Sequence, residues 1–198
     1  KLVSEDSVPL SKLVVDAILK IVEKDGDGHS ADLDNLKVEK KAGGSIDDTT
    51  LINGIVLDKE IVHSGMPTKI ENARIALVNA ALEVEKTEMS AEIRISDPTQ
   101  MQQFLEEENN MLQSMVDKIH SIGANVLICQ KGIDDIAQHY LSKHGILSVR
   151  RVKESDMTKL AKATGGRIST NLDDISTNDL GSAEIVQQKK VESDKWVF

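Results

Sequence analysis

The chain has 198 residues, of which 39% are apolar and 2% aromatic, and it carries a net charge of −9. That length can bury a core in one domain, or in one domain plus an appendage, and with so few rings the core must be aliphatic. An acidic chain lacks the excess Lys and Arg that phosphate neutralisation needs, and without aromatic stacking platforms a nucleic-acid partner is not expected.

Residues 8–24 carry Leu10, Leu13, Val14, Ala17, Ile18, Ile21 and Val22 at spacings of three and four, which predicts an amphipathic helix. Pro9 suits its first turn, and Asp25-Gly-Asp-Gly28 ends it at a first candidate boundary. Alternation predicts strands over 36–40 and 51–57, with Ala42-Gly-Gly44 as a turn between them and Gly54 as a possible bulge site. His63-Ser-Gly-Met-Pro67 reads as a loop, and short strands are expected at 74–79 and 92–95.

Asp97-Pro98 is a helix start, with Asp as the cap and Pro as the first helical residue. The helix can run to Ile122, with Gly123 ending it, a length of about 36 Å at ~1.5 Å per residue. An alternating α/β pattern follows. Residues 126–129 read as a buried strand, 132–144 as a helix with Ile133, Ile136, Ala137, Tyr140 and Leu141 on its packing face, and 146–152 as a strand. Ser155 is expected to cap a helix ending at Gly165-Gly166. Residues 167–169 extend, and 183–191 with 196–198 read as a closing hairpin.

Several chemistries fail on spacing. Asp25-Gly-Asp-Gly-His29 opens like a calcium loop, but Ser30 stands where glycine is required and Leu36 where glutamate is required. No phosphate loop and no Gly-x-Ser-x-Gly elbow is present. His139 and His144 lie five apart, not the four that place two ligands on one helical face. Asp134-Asp135 fit the acidic first turn of a helix better than a catalytic pair. The one cysteine, Cys129, cannot form an intramolecular disulfide and reads as a packed, inert thiol in a strand. A cytoplasmic location fits. No apolar run approaches the ~20 residues of a membrane span, so no membrane partner is expected. No catalytic, cofactor or metal site emerges. The start at Lys1 and the strand-like Trp196-Val-Phe198 read as an excised piece of a longer protein.

Binding is best sought in the helix over 97–122. Its second half has an ordinary packing face of Met111 or Leu112, Met115, Val116, Ile119 and Ile122. In its first half, Met101, Phe104 and Leu105 cluster within two turns and are followed by Glu106-Glu-Glu-Asn-Asn110. Either these three residues form an exposed apolar tip on a polar stem, or they cover a neighbouring element. An exposed tip would mark an interaction site, and methionine would make it adaptable.

Lys41-Ala-Gly-Gly-Ser-Ile-Asp-Asp-Thr49 with Ile52-Asn-Gly-Ile-Val-Leu-Asp-Lys59 resembles the opening of a group II chaperonin apical domain, of the archaeal thermosome family. His63-Ser-Gly-Met-Pro67, Met111-Leu-Gln-Ser-Met-Val-Asp-Lys-Ile119, Gly123-Ala-Asn-Val126 and Gln130-Lys-Gly-Ile-Asp-Asp135 continue the likeness. So do Ala137-Gln-His-Tyr-Leu141, Val149-Arg-Arg-Val152 and Ser155-Asp-Met-Thr-Lys-Leu-Ala-Lys-Ala-Thr-Gly165. The order is colinear and spans essentially the whole chain.

The resemblance implies an α/β apical domain of the swivelling β/β/α kind over 31–198, with a long helical protrusion at about 97–122. Residues 1–30, including the first helix, would belong to the intermediate domain. Full-length members form stacked rings of eight or nine subunits, bind unfolded polypeptides and close a built-in lid in an ATP-driven cycle. Their ATP and magnesium site and catalytic aspartate match no position here, so this piece is expected to be no enzyme by itself. The client surfaces implied are the protrusion, carrying Met101, Phe104 and Leu105, and the 155–164 helix with the 63–67 loop. There Lys159 and Lys162 are the outward candidates and Met66 the loop candidate. The alternative assigns the protrusion to lid contacts between subunits, leaving clients to that helix and loop. A third possibility is an unrelated α/β enzyme or small-molecule binder, which nucleotide binding by this chain would favour.

Overall fold

The computed structural model describes residues 7–84 and 98–198, with the side chains of 98–100 left aside. Helix α1 spans Ser7–Ile21 and has no buried residue. It stops three residues before the expected end, because Val22–Asp25 (β1) and Gly28–Ala31 (β2) pair as an antiparallel hairpin. Gly26 takes φ +58 in the two-residue loop, a conformation such loops demand and glycine supplies without strain. The Asp-Gly run is therefore a hairpin turn.

The strands expected over 36–40 and 51–57 do not form. Only Leu57 reaches a ladder, through one antiparallel bridge to Val197. Around residue 36 the backbone bonds to side chains instead, since the Leu36 carbonyl accepts from Lys159 Nζ at 3.1 Å. The strand expected over 74–79 is longer and begins earlier, as β3, Lys69–Val78. The strand at 92–95 and the Asp97 cap lie outside the described residues.

Helix α2, Pro98–Ser121, runs for 24 residues, and Gly123 follows it at φ +81. Strand β4, Val126–Cys129, has the expected bounds. Helix α3 covers Asp135–Lys143. It starts later than expected because Asp134 is its cap, the carboxylate accepting from Ile136 N at 2.8 Å. On its face Ile136 turns outward, 40% exposed, while Gln138 is buried and donates to Ile133 O and Asp135 Oδ1. Strand β5, Leu147–Val149, is shorter than the run that predicted it. Helix α4, Glu154–Thr164, begins after Lys153, so Ser155 lies inside its first turn and is not the cap. Strand β6 is Ile168–Ser169, and β7, Gly181–Val191, and β8, Asp194–Val197, form the closing hairpin.

The main sheet has the order β5-β4-β3-β7-β8, with β6 beside β3. β3 runs parallel to β4 and β6 and antiparallel to β7. Strand alternation sends Ala76, Val78, Leu127 and Cys129 to one face, where α2 and α3 contribute Leu112, Val116, Ile119, Ala137 and Leu141. Ala73, Ile75, Leu77, Val126 and Ile128 face the other way, onto Met157 and Leu160 of α4. Two aliphatic cores thus sandwich one sheet. They hold the second half of α2 against one face and α4 against the other.

Candidate functional surfaces

Burial along α2 has a sharp onset. Met101, Phe104 and Leu105 are 47%, 37% and 50% exposed, and the residues through Glu107 are exposed with them. From Leu112 the helix is core, with Val116 and Ile119 fully buried. Leu112 takes the buried place and Met111, 49% exposed, points outward, which settles the choice the periodicity left open. The three apolar residues are about half exposed, which fits an apolar tip on a polar stem better than a covered face.

The face of α4 turned from the sheet meets a different situation. Lys159 and Lys162, expected to point freely outward, are both engaged. Lys159 is half-buried and donates to Leu36 O, and Lys162 Nζ donates to Asn35 Oδ1 at 2.9 Å. Asp156, one turn earlier, is buried and accepts from Lys37 Nζ at 3.0 Å. Lys37 also reaches Glu39 at 2.8 Å and the Val56 carbonyl at 2.8 Å. Burial acts to lower the Lys37 pKa, but the hydrogen bonds and charges of Glu39 and Asp156 outweigh it and hold the ammonium above its ordinary value.

A groove of about 490 Å³ lies alongside, lined in part by Ile21, Leu36, Ile52, Ile55, Lys159 and Ala163. Of its lysines, 37, 159 and 162 are already bonded within the chain, and Lys20 lines it as well. Sequence reasoning missed Asn35, Leu36, Lys37 and Asp156. Lys37 and Asp156 are separated by 119 residues, and no local periodicity links them.

Met66 is a correction. It was expected to offer a contact from its loop, but it is 4% exposed and packs in the core of α2 and α3. The loop is set by a turn, with Met66 N donating to His63 O and Gly65 N donating to His63 Nδ1. His63 meets His139 edge-on, with ring centroids 6.2 Å apart. His144 lies against His120, centroids 4.3 Å apart, and its Nε2 is 3.2 Å from Asp117 Oδ1. Among the described residues no cluster of three or more His, Cys, Asp or Glu is arranged to hold a metal ion. No described helix is long and apolar enough to cross a membrane.

Cys129 is fully buried. Its thiol is pushed up to about 11 by burial, which outweighs a hydrogen bond from the Lys131 backbone. It donates to Ala80 O at 3.3 Å.

Residues 1–198 match the profile of the TCP-1/cpn60 chaperonin family. Thermosome subunit beta of Saccharolobus shibatae is 60% identical over 189 residues, which is 96% of this chain and 34% of that protein. Thermosome subunit beta of Thermococcus kodakarensis is 56% identical over 198 residues, 100% of this chain and 36% of the relative. The chain thus spans about a third of the length of the curated relatives it matches. Among solved structures, an open-state monomer of a group II chaperonin from Methanococcoides burtonii superposes with a TM-score of 0.78 at 42% identity. That match covers 96% of this chain and 41% of the other.

Proposed function

Because the chain belongs to the TCP-1/cpn60 chaperonin family over its whole length, we propose that it is the polypeptide-binding and lid-forming part of a longer, cytoplasmic folding chaperone. In this reading residues 31–198 are the apical domain, and 1–30 belong to the intermediate domain. The lack of any fully buried residue in α1 and the separate hairpin sheet of β1 and β2 support that division. ATP and magnesium would be held elsewhere in the longer protein and drive its cycle. The partners are unfolded polypeptides and sister subunits in stacked rings of eight or nine.

The observation that carries the reading is the exposed cluster of Met101, Phe104 and Leu105 on a helix whose burial starts only at Leu112. Covering the three contributes at most about 1.5–3 kcal/mol each, because each is already about half covered, before association costs of several kcal/mol. One tip therefore binds short of the ~8 kcal/mol that micromolar affinity needs. A ring presents many tips, and avidity supplies the difference. Weak contacts without direction suit clients that must later be released.

The test is binding of a fluorescent, permanently unfolded polypeptide to the chain and to a Met101→Ser, Phe104→Ser, Leu105→Ser variant with unchanged circular dichroism. Loss of binding places clients on the tip. Unchanged binding moves them to α4 and the 63–67 loop, with the tip serving contacts between lids. No binding by either protein would remove the client role.

A further inference from the structure

Asn53-Gly54 is the one place in the sequence where asparagine precedes glycine. Both residues are exposed and lie outside helix and strand. Among the described residues, 50–55 make no hydrogen bond within the chain, so the Asn53 amide and the Gly54 N–H are both unheld. The segment is fixed on either side, at Thr49, whose N–H donates to Ile46 O, and at Val56, whose carbonyl accepts from Lys37. Gly54 takes φ +156, with nothing within 4 Å of where a β-carbon would stand. Its nitrogen therefore has no side chain of its own to shield it, and its backbone is free to turn.

Other asparagines are placed differently. Asn125 Oδ1 accepts from Arg74 N at 2.6 Å, Asn35 Oδ1 accepts from Lys162 Nζ, and Asn171 Oδ1 accepts from Asp173 N. Every asparagine except Asn53 is followed by a residue that carries a β-carbon. The two Asp-Gly pairs, at 25–26 and 27–28, are held in the β1–β2 hairpin, where Asp25 pairs with Gly28.

We propose that Asn53 is a site of spontaneous covalent modification, converting through a cyclic imide to aspartate and isoaspartate in the folded chain. Hydroxide takes the Gly54 N–H proton, and the nitrogen attacks Asn53 Cγ. The new C–N bond closes a five-membered ring as the Cγ–Nδ2 bond breaks, and the amide nitrogen leaves as ammonia. One water then opens the ring, at Cγ to give aspartate or at the main-chain carbonyl to give isoaspartate. No oxidant or reductant is needed. The new carboxylate enters a groove whose lining holds Lys20, Lys37, Lys159 and Lys162 against one acidic residue, Glu23. Those cations also favour loss of the Gly54 proton, since opposite charge stabilises an anion.

The experiment incubates the native chain in mildly alkaline buffer beside a synthetic peptide of residues 49–58. Conversion at each asparagine is followed by peptide mapping with mass spectrometry, and isoaspartate by enzymatic methylation. Asn53 is expected to convert before any other asparagine, at a rate within about tenfold of the free peptide, because the fold does not hold the segment. An Asn53→Gln chain, which cannot close the five-membered ring, should gain no isoaspartate over the same time. Conversion in the native chain about a hundredfold slower than in the peptide would show that the fold keeps the Gly54 nitrogen from the Asn53 amide, and would overturn the proposal. So would conversion at Asn125 or Asn171 as fast as at Asn53.

Discussion

Lys37 Nζ lies 3.0 Å from Asp156 Oδ2, and the two side chains are 16% and 7% exposed. Removing one partner of a buried pair leaves an uncompensated charge, at a cost of about 3–5 kcal/mol. Lys37 keeps Glu39 at 2.8 Å, so Asp156→Ala is expected at the low end of that range. A Lys37→Met, Asp156→Leu double variant should recover most of the loss, because it buries no orphan charge. Urea denaturation midpoints of the three proteins decide this. A single-variant loss below about 1 kcal/mol would mark the pair as a surface-like contact.

The same pair has a pH signature. The Lys37 pKa is raised above its ordinary 10.5 in the folded chain. Its contribution is therefore complete below 10.5 and is lost as pH rises through the higher folded value. The denaturation midpoint of the unaltered chain should fall on going beyond pH 10.5 more steeply than that of the double variant. Parallel curves would remove Lys37 as the cause.

Cys129 should resist thiol reagents in the native protein. Its thiol is fully buried and pushed up to about 11, so at pH 8 little thiolate exists and none is accessible. An aromatic disulfide reagent is expected to titrate no thiol in native buffer and one in denaturant. Fast native labelling would mean that β4 opens locally.

Leu112 and Met111 are adjacent yet should respond oppositely. Leu112 is 1% exposed and Met111 is 49% exposed. Leu112→Ala is expected to cost about 2–5 kcal/mol through the cavity it leaves, and Met111→Ala to stay within about 0.5 kcal/mol. Thermal denaturation of the two variants reads the difference, and comparable losses would show that the helix face is assigned one residue out.

Acid should weaken the fold partly through Asp179. Hydrogen bonds from the Ser176 hydroxyl and backbone N–H hold its carboxyl below the ordinary 3.8. A depressed carboxylate stabilises above its unfolded value and loses that contribution as pH falls through the folded one. The Asp179→Asn chain should therefore show a shallower decline in denaturation midpoint below pH 3.8. Matching acid profiles would show that the turn at Ser176 contributes nothing.

Legibility from sequence followed locality. Residues 126–129 could be read to the residue because a run buried on both faces admits no alternative face. The root of α2 was legible because Leu112, Val116 and Ile119 repeat at helical spacing and are all buried. The open tip was half-legible, since Glu106-Glu-Glu-Asn-Asn110 breaks the stripe without saying what lies opposite. The contact of residues 35–37 with α4 was invisible. Alternation around Leu36 imitates a strand, and the partners that satisfy it are lysines more than a hundred residues away. Met66 misled for a similar reason, because a turn built by His63 can bury a side chain that loop composition would leave outside.

The geometry of α2 has a mechanical consequence. Its 24 residues make a rod of about 36 Å, clamped only along its far half. Such a rod is a lever. A pivot of about 10° at the clamp carries the free end, about 20 Å away, through about 3–4 Å, more than half a helical turn. Motions too small to disturb the packing of Val116 and Ile119 are therefore magnified where Met101 and Phe104 are displayed.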